Sequence, residues 1–264
     1  MGERSGVLEV AGERIAWRAL DGAEPAVMWL GGFRSEMTGT KASVVAAWAE
    51  RTGRAFLRFD YAGQGESSGR FEDGSIGRWR GDALAVLDAL TDGPVVLAGS
   101  SMGGWLASLV ALARPQRVAG LVLLAPAPDF TETLMLPGFP PEAHRALAER
   151  GVWDQPSEYG GTYPVTRALI EEARNWLLLP GPVPISAPVR ILQGTADEDV
   201  PWRHALRFAE ALESPDVVFT LIKGGDHRLS RPADLARLLA SVEELTEAPL
   251  LHRQGSSAEG QPPL

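Results

Sequence analysis

Cysteine is absent from all 264 residues, which excludes disulfides, thiolate nucleophiles and cysteine-ligated metal sites. Histidine is scarce. Only His144, His204, His227 and His252 occur, scattered and without an H-E-x-x-H pair, so neither a metal nor any other cofactor is expected. Positive charge is in deficit: 25 basic against 34 acidic residues leave a net charge of -9. That balance argues against nucleic acid or an anionic membrane as the main partner. Lysine is nearly missing, with Lys41 and Lys223 the two examples, a ratio that reads as composition without functional weight. No apolar run approaches the roughly 20 residues of a membrane span. Met1-Gly2-Glu3-Arg4-Ser5-Gly6 lacks the apolar segment of a secretory signal, so a cytoplasmic protein is expected.

What is present suits one large globular fold. The chain is 45% hydrophobic and 22% charged, and long enough for an α/β domain with a full core plus an insertion. Short β-rich runs alternate with longer helical patterns, the signature of a mainly parallel sheet with helices on both faces. Strands are expected at Val7–Val10, Arg14–Ala19, Ala26–Leu30, Ala55–Phe59, Val95–Ala98, Val118–Leu124, Val189–Gln193 and Val217–Ile222, eight in all. Helices are expected at Lys41–Arg51, Ile76–Leu90, Gly104–Ala113, Trp202–Leu212 and Arg231–Glu247. Between Pro126 and about Pro188 no strand is expected, only helical pieces near Pro141–Arg150 and Tyr163–Leu179. The expected organisation is a core part over 1–126, a helical cap insertion over 127–187, a second core part over 188–248 and a disordered tail over 249–264. The insertion carries Met135, Leu136, Phe139, Trp153, Tyr159, Tyr163 and Trp176, which either form its own small core or line an acyl pocket.

The segment Val95-Val96-Leu97-Ala98-Gly99-Ser100-Ser101-Met102-Gly103-Gly104-Trp105 runs from a strand pattern through G-x-S-x-G directly into a helical pattern. That order describes a nucleophile elbow, with Ser101 on a sharp turn at the positive end of the following helix. A second match, Gly65-Glu66-Ser67-Ser68-Gly69, follows its strand only after a loop and leads into no helix. Ser67 therefore reads as a loop hydroxyl.

A serine hydroxyl needs a base within hydrogen-bond reach and a carboxylate that orients the base. His227, in Lys223-Gly224-Gly225-Asp226-His227 after the last strand, falls at the C-terminal sheet edge where catalytic groups gather. Asp197, in Gly194-Thr195-Ala196-Asp197-Glu198-Asp199, is the expected acid. Asp199 is its rival and could instead cap the helix that begins near Pro201 or Trp202. Oxyanion donors are expected from the backbone N–H of Met102 and, in the Gly31-Gly32-Phe33 loop, from that of Phe33. The alternative for Gly31-Gly32 is a tight strand exit alone. Asp60-Tyr61-Ala62-Gly63-Gln64-Gly65 follows a strand but lacks G-x-G-x-x-G and opens no helix, which excludes a dinucleotide role.

Elbow, Ser–Asp–His order, glycine-rich loop and insertion together resemble the α/β-hydrolase superfamily from about Val7 to Glu247. Asp60-x-x-Gly63-x-Gly65-x-Ser67 resembles that superfamily's loop after the fourth strand, with Gln64 in place of the usual histidine. Gly32-Phe33-Arg34-Ser35-Glu36-Met37-Thr38-Gly39-Thr40-Lys41-Ala42, Ser100-Ser101-Met102-Gly103-Gly104-Trp105 and Asp226-His227-Arg228-Leu229-Ser230 resemble the mitochondrial acyl-protein thioesterase branch, which includes the acyl-glucuronide esterase and bacterial relatives. The resemblance implies deacylation of thioesters and activated esters. Without a recognisable transit peptide, the mitochondrial location is not carried over. The expected function is a cofactor-independent serine hydrolase acting on a small-molecule or acylated substrate. A non-catalytic ligand-binding protein on the same fold, or an acyltransferase, are the alternatives.

Overall fold

The computed structural model describes residues 2–156 and 161–247. Its frame is an eight-stranded sheet made of β1 (Arg4–Val10), β2 (Glu13–Leu20), β3 (Ala23–Leu30), β4 (Arg54–Phe59), β5 (Val95–Ser100), β6 (Val118–Leu124), β9 (Val189–Gly194) and β10 (Val217–Ile222). The spatial order is β1-β2-β4-β3-β5-β6-β9-β10. The β1–β2 and β2–β4 pairs are antiparallel and every other pair is parallel. Crossovers are supplied by α1 (Thr40–Thr52), α2 (Ile76–Leu90), α3 (Met102–Ala113) and α7 (Trp202–Ala211), and α8 (Pro232–Glu247) closes the described chain.

The central strands are apolar throughout because both sheet faces are covered. Val95 and Leu97 point into one core with Met28, Leu121 and Ile191, packed under α2, α3 and α7 through Trp79, Trp105 and Phe208. Val96 and Ala98 point the other way, with Val27, Trp29 and Val122, onto α1 and α8 through Val45, Trp48, Leu238 and Val242. Helix α3 is buried nearly all round, which accounts for its lack of a polar stripe. All eight expected strands are present, with ends moved by a few residues.

The segment between β6 and β9 departs from expectation. It contains a π-helical turn (Thr131–Met135), α4 (Leu136–Gly138), α5 (Pro141–Arg150), β7 (Val152–Pro156), β8 (Thr162–Thr166), α6 (Arg167–Ala173) and a 3-10 turn (Arg174–Trp176). The antiparallel β7–β8 hairpin occupies a stretch where no strand was expected, and the helix expected from Tyr163 starts only at Arg167. Pro156 and Pro164 obscure the alternation in sequence, yet a two-stranded ribbon leaves outward N–H positions that proline tolerates. The start of α6 is marked by the Thr166 hydroxyl, which accepts from the Leu169 N–H at 3.1 Å.

Leu147, Val165 and Ile170 form a small core here, with Met135, Leu136, Phe139, Trp153 and Tyr163 packed against it. Five of the seven expected apolar residues are thus used at least partly for self-packing. The Asp129 carboxylate ties the segment's two ends together, accepting the Leu178 N–H at 2.8 Å and the Leu179 N–H at 2.7 Å. The expected tail over 249–264, His252 included, and Tyr159 of the insertion lie outside the described residues. Among the described residues no helix is long and apolar enough to cross a membrane.

Candidate active site

Ser101 sits between β5 and α3 with φ 56° and ψ -120°, a backbone region that side chains other than glycine rarely enter. Such a conformation costs about 1–3 kcal/mol and persists only where the surroundings enforce it. Here the Ser101 N–H donates to the Leu124 carbonyl at 2.9 Å, and its own carbonyl accepts from Gly104 at 2.9 Å and Ala127 at 3.2 Å. The turn also needs its flanking glycines. A Cβ on Gly99 would meet the Gly103 carbonyl oxygen at 2.3 Å, and one on Gly103 would meet the Leu30 carbonyl oxygen at 2.1 Å.

The sheet order brings the loops after β5, β9 and β10 to one edge. His227 Nε2 lies 3.1 Å from Ser101 Oγ, and its Nδ1 lies 2.9 Å from Asp197 Oδ2. A carboxylate only accepts, so Nδ1 carries a proton there. In the neutral ring Nε2 is then the acceptor for the serine hydroxyl. The Asp197 side chain is fully buried, whereas the imidazole is about a quarter exposed. Its Oδ1 accepts the Asp199 N–H at 3.1 Å and the Val200 N–H at 2.8 Å, and its Oδ2 accepts Gln193 Nε2 at 3.0 Å. With His227, four donors converge on one buried carboxylate, the condition under which a buried charge is tolerated.

Asp199, the rival acid, contributes its backbone N–H to this network while its side chain faces solvent. It does not cap α7, whose N-terminus at Pro201 has no side-chain cap. Asp197, Asp199 and His227 do offer ligand atoms within 4.8 Å of one another. A cation there would have to displace the contacts to Gln193, Val200 or Ser101. Ser67 proves structural: its hydroxyl accepts the Ala16 N–H at 2.9 Å and donates to the Asp60 carbonyl at 2.6 Å.

The other described histidines are engaged elsewhere. His204 Nε2 is 2.8 Å from the Pro128 carbonyl, and burial pushes its pKa down. His144 lies edge-on to Phe139 in the insertion.

Beyond β3 the chain turns at Gly32–Ser35, closed by the Ser35 N–H on the Gly32 carbonyl at 3.1 Å, with Arg34 at φ 58°. A Cβ on Gly32 would lie 3.5 Å from Ser101 Cβ, so this turn runs against the serine. Phe33 follows, its ring edge-on to Phe71, Trp79, Phe130 and Tyr163. Met102 is the first residue of α3, where backbone N–H groups are unpaired within the helix. The next segment is anchored through Met37, whose N–H donates to the buried Asp60 carboxylate at 2.6 Å. Asp60 also accepts the Glu66 N–H at 2.8 Å, which gives the Asp60–Ser67 loop a structural task. Burial raises the Asp60 pKa, with the two backbone hydrogen bonds opposing.

Two residues of this site escape sequence reasoning. Gln193 lies next to last in β9 as one more buried residue, and only the fold turns its amide onto Asp197. Asp129 sits outside every motif.

Comparison with known proteins places these observations. The model of the alpha/beta hydrolase family matches residues 25–238. The mitochondrial palmitoyl-protein thioesterase ABHD10 of Rattus norvegicus is 38% identical over 235 residues, covering 88% of this chain and 79% of that protein. The solved structure of mouse alpha/beta hydrolase domain-containing protein 10 superposes with a TM-score of 0.84 at 36% identity, over 92% of this chain and 98% of that one. A crystal structure of an Agrobacterium vitis S4 protein gives 0.90 at 41% identity, over 94% and 100%.

Proposed function

We propose, for a chain that belongs to the alpha/beta hydrolase family, that it cleaves carboxylic esters or acyl thioesters through an acyl-enzyme on Ser101. One observation carries the reading. His227 is hydrogen-bonded on one side to a strained, half-buried serine and on the other to a buried carboxylate. His227 Nε2 takes the Ser101 proton as Oγ attacks the acyl carbon, and the carbonyl oxygen becomes an oxyanion. The N–H groups of Phe33 and Met102 receive that charge. Collapse breaks the bond to the alkoxide or thiolate, which takes the proton from His227. Water then enters, gives a proton to Nε2 and attacks the acyl carbon. The carboxylic acid departs and Ser101 recovers its proton. Asp197 holds the ring in the required tautomer throughout. Each proton is accounted for by these side chains, and the scheme needs no cofactor. The segment over 127–187, joined to the core at Asp129, acts as the cap over the acyl group. The thioesterase named among the relatives supports a thioester as substrate.

The test is labelling with a fluorophosphonate together with thioester turnover. Ser101→Ala is expected to abolish labelling and to lower kcat/KM by about 10³-fold or more, while Ser67→Ala leaves both intact. A wild-type protein that is folded yet neither labels nor turns over thioesters would instead support a ligand-binding role.

A further inference from the structure

Lys41, one of two lysines in the chain, lies in a place that suits a cation badly. It is the second residue of α1, where the helix dipole is positive. Burial and the nearby Arg228 lower its pKa to about 8, and only Asp226 opposes them. On α8, which packs against α1, Asp234 pairs with Arg231 and Arg237. A charge held against desolvation and repulsion points to a specific contact. Lys41 Nζ donates to the Arg228 carbonyl at 2.6 Å, across 187 residues of sequence.

That carbonyl belongs to the residue directly after His227. The next residue, Leu229, is in the left-handed region at φ 44° with its side chain wholly buried. A branched residue there is strained and must be held from several sides. The Leu229 N–H donates to Asp226 Oδ1 at 3.0 Å, and Ser230 Oγ adds a second bond to the Arg228 carbonyl at 3.0 Å. Lys41 supplies the hold from outside the loop. Its platform is rigid. Met37 is pinned to Asp60 by its N–H and to Arg58 by its carbonyl, and the Ser43 hydroxyl closes onto the Thr38 carbonyl at 2.9 Å.

We propose that Lys41 is a positioning residue for His227, bracing the strained Arg228–Leu229 turn from the segment that also carries the oxyanion loop. The two halves of the site are thereby set relative to each other by one charge-assisted hydrogen bond. The proposal rests on His227 being the base of the proposed function. Deprotonation of Lys41 weakens the bond, so the brace is strong below about pH 8 and loosens above it.

The experiment compares wild type, Lys41→Met and Lys41→Arg in kcat and KM for a short acyl thioester from about pH 5.5 to 10, spanning the titration of the lysine. The hydrogen-bonded His227 Nδ1–H proton is followed by NMR in parallel. Lys41→Met is expected to lose roughly tenfold in kcat with KM within about twofold, to lose the alkaline decline, and to broaden or shift the imidazole proton. Lys41→Arg, charged at every pH used, is expected to restore kcat at neutral pH and to keep activity flat through about pH 9. Unchanged kcat and imidazole signal in Lys41→Met would overturn the proposal. So would a decline near pH 8 that persists in both variants. Absence of thioester turnover in wild type would refute the hydrolase reading instead, and the NMR comparison would still judge the brace.

Discussion

Replacing Asp197 by asparagine tests the site more sharply than deleting it. The carboxylate has acceptor oxygens facing donors on both sides. An amide must turn its NH2 toward one of them. If NH2 takes the Oδ2 position, it meets Gln193 Nε2 and drives the proton of His227 from Nδ1 to Nε2. The base then points an N–H at Ser101 Oγ and cannot accept, a change expected to lower kcat/KM by about 10³–10⁴-fold. If NH2 takes the Oδ1 position, it meets the N–H groups of Asp199 and Val200. The buried Val200 N–H then loses its acceptor, at about 1–3 kcal/mol, and the part-buried Asp199 N–H loses its own. Either activity collapses with the fold retained, or stability falls. Steady-state kinetics with thermal unfolding on the same preparation decides between them. Asp199→Asn removes an exposed charge that lies within 4.8 Å of His227 but keeps the backbone N–H on Asp197, and is expected to change kcat/KM less than about threefold. Asp197→Asn within about tenfold of wild type in activity and unchanged in melting would refute the assignment of Asp197 as the orienting acid.

Asp82, buried in α2 with its Oδ2 accepting the Ala62 N–H at 2.9 Å, has its pKa pushed up to about 6 by burial. A carboxyl raised in the fold is harmless below its unfolded value near 3.8 and costs stability as pH climbs through about 6. Asp82→Asn should therefore gain stability relative to wild type by about 2 kcal/mol more at pH 7.5 than at pH 4.5 in urea unfolding, and a pH-independent difference would contradict this. Trp153, packed on the insertion's own core, should on change to Ala cost about 1–3 kcal/mol of stability. The dependence of kcat/KM on acyl length should then stay as in wild type, and a shifted length cutoff without destabilisation would show that Trp153 lines the acyl path.

The parallel core was legible because its signals are local. Val95–Leu97 and Val118–Leu124 are uninterrupted apolar runs, as strands covered on both faces must be. Ser101 was legible because strand, glycines and helix follow one another in sequence. The β7–β8 hairpin was not, since prolines at 156 and 164 imitate loop chemistry and the packing partners of Trp153 and Val165 come from α5 and α6. Asp197 could be separated from Asp199 only by nearness to a strand end, whereas the structure separates them by four converging donors. Lys41 and Arg228 both lie in segments that carry the family resemblance, yet their contact spans 187 residues and only the fold reveals it.

The Asp129 carboxylate has a consequence for how such a chain can change. It grips residues 49 and 50 positions downstream, so the segment leaves and rejoins the core at one point. Whatever lies between departs from a fixed doorway. For a flexible segment the entropy of closing such a loop grows only as the logarithm of its length, so doubling it adds about 0.6 kcal/mol. Ser101, Asp197 and His227 all lie outside that doorway, in parts of the chain the exchange would leave untouched. Lineages could therefore trade one insertion for another of different length and composition while keeping the arrangement of Ser101, Asp197 and His227.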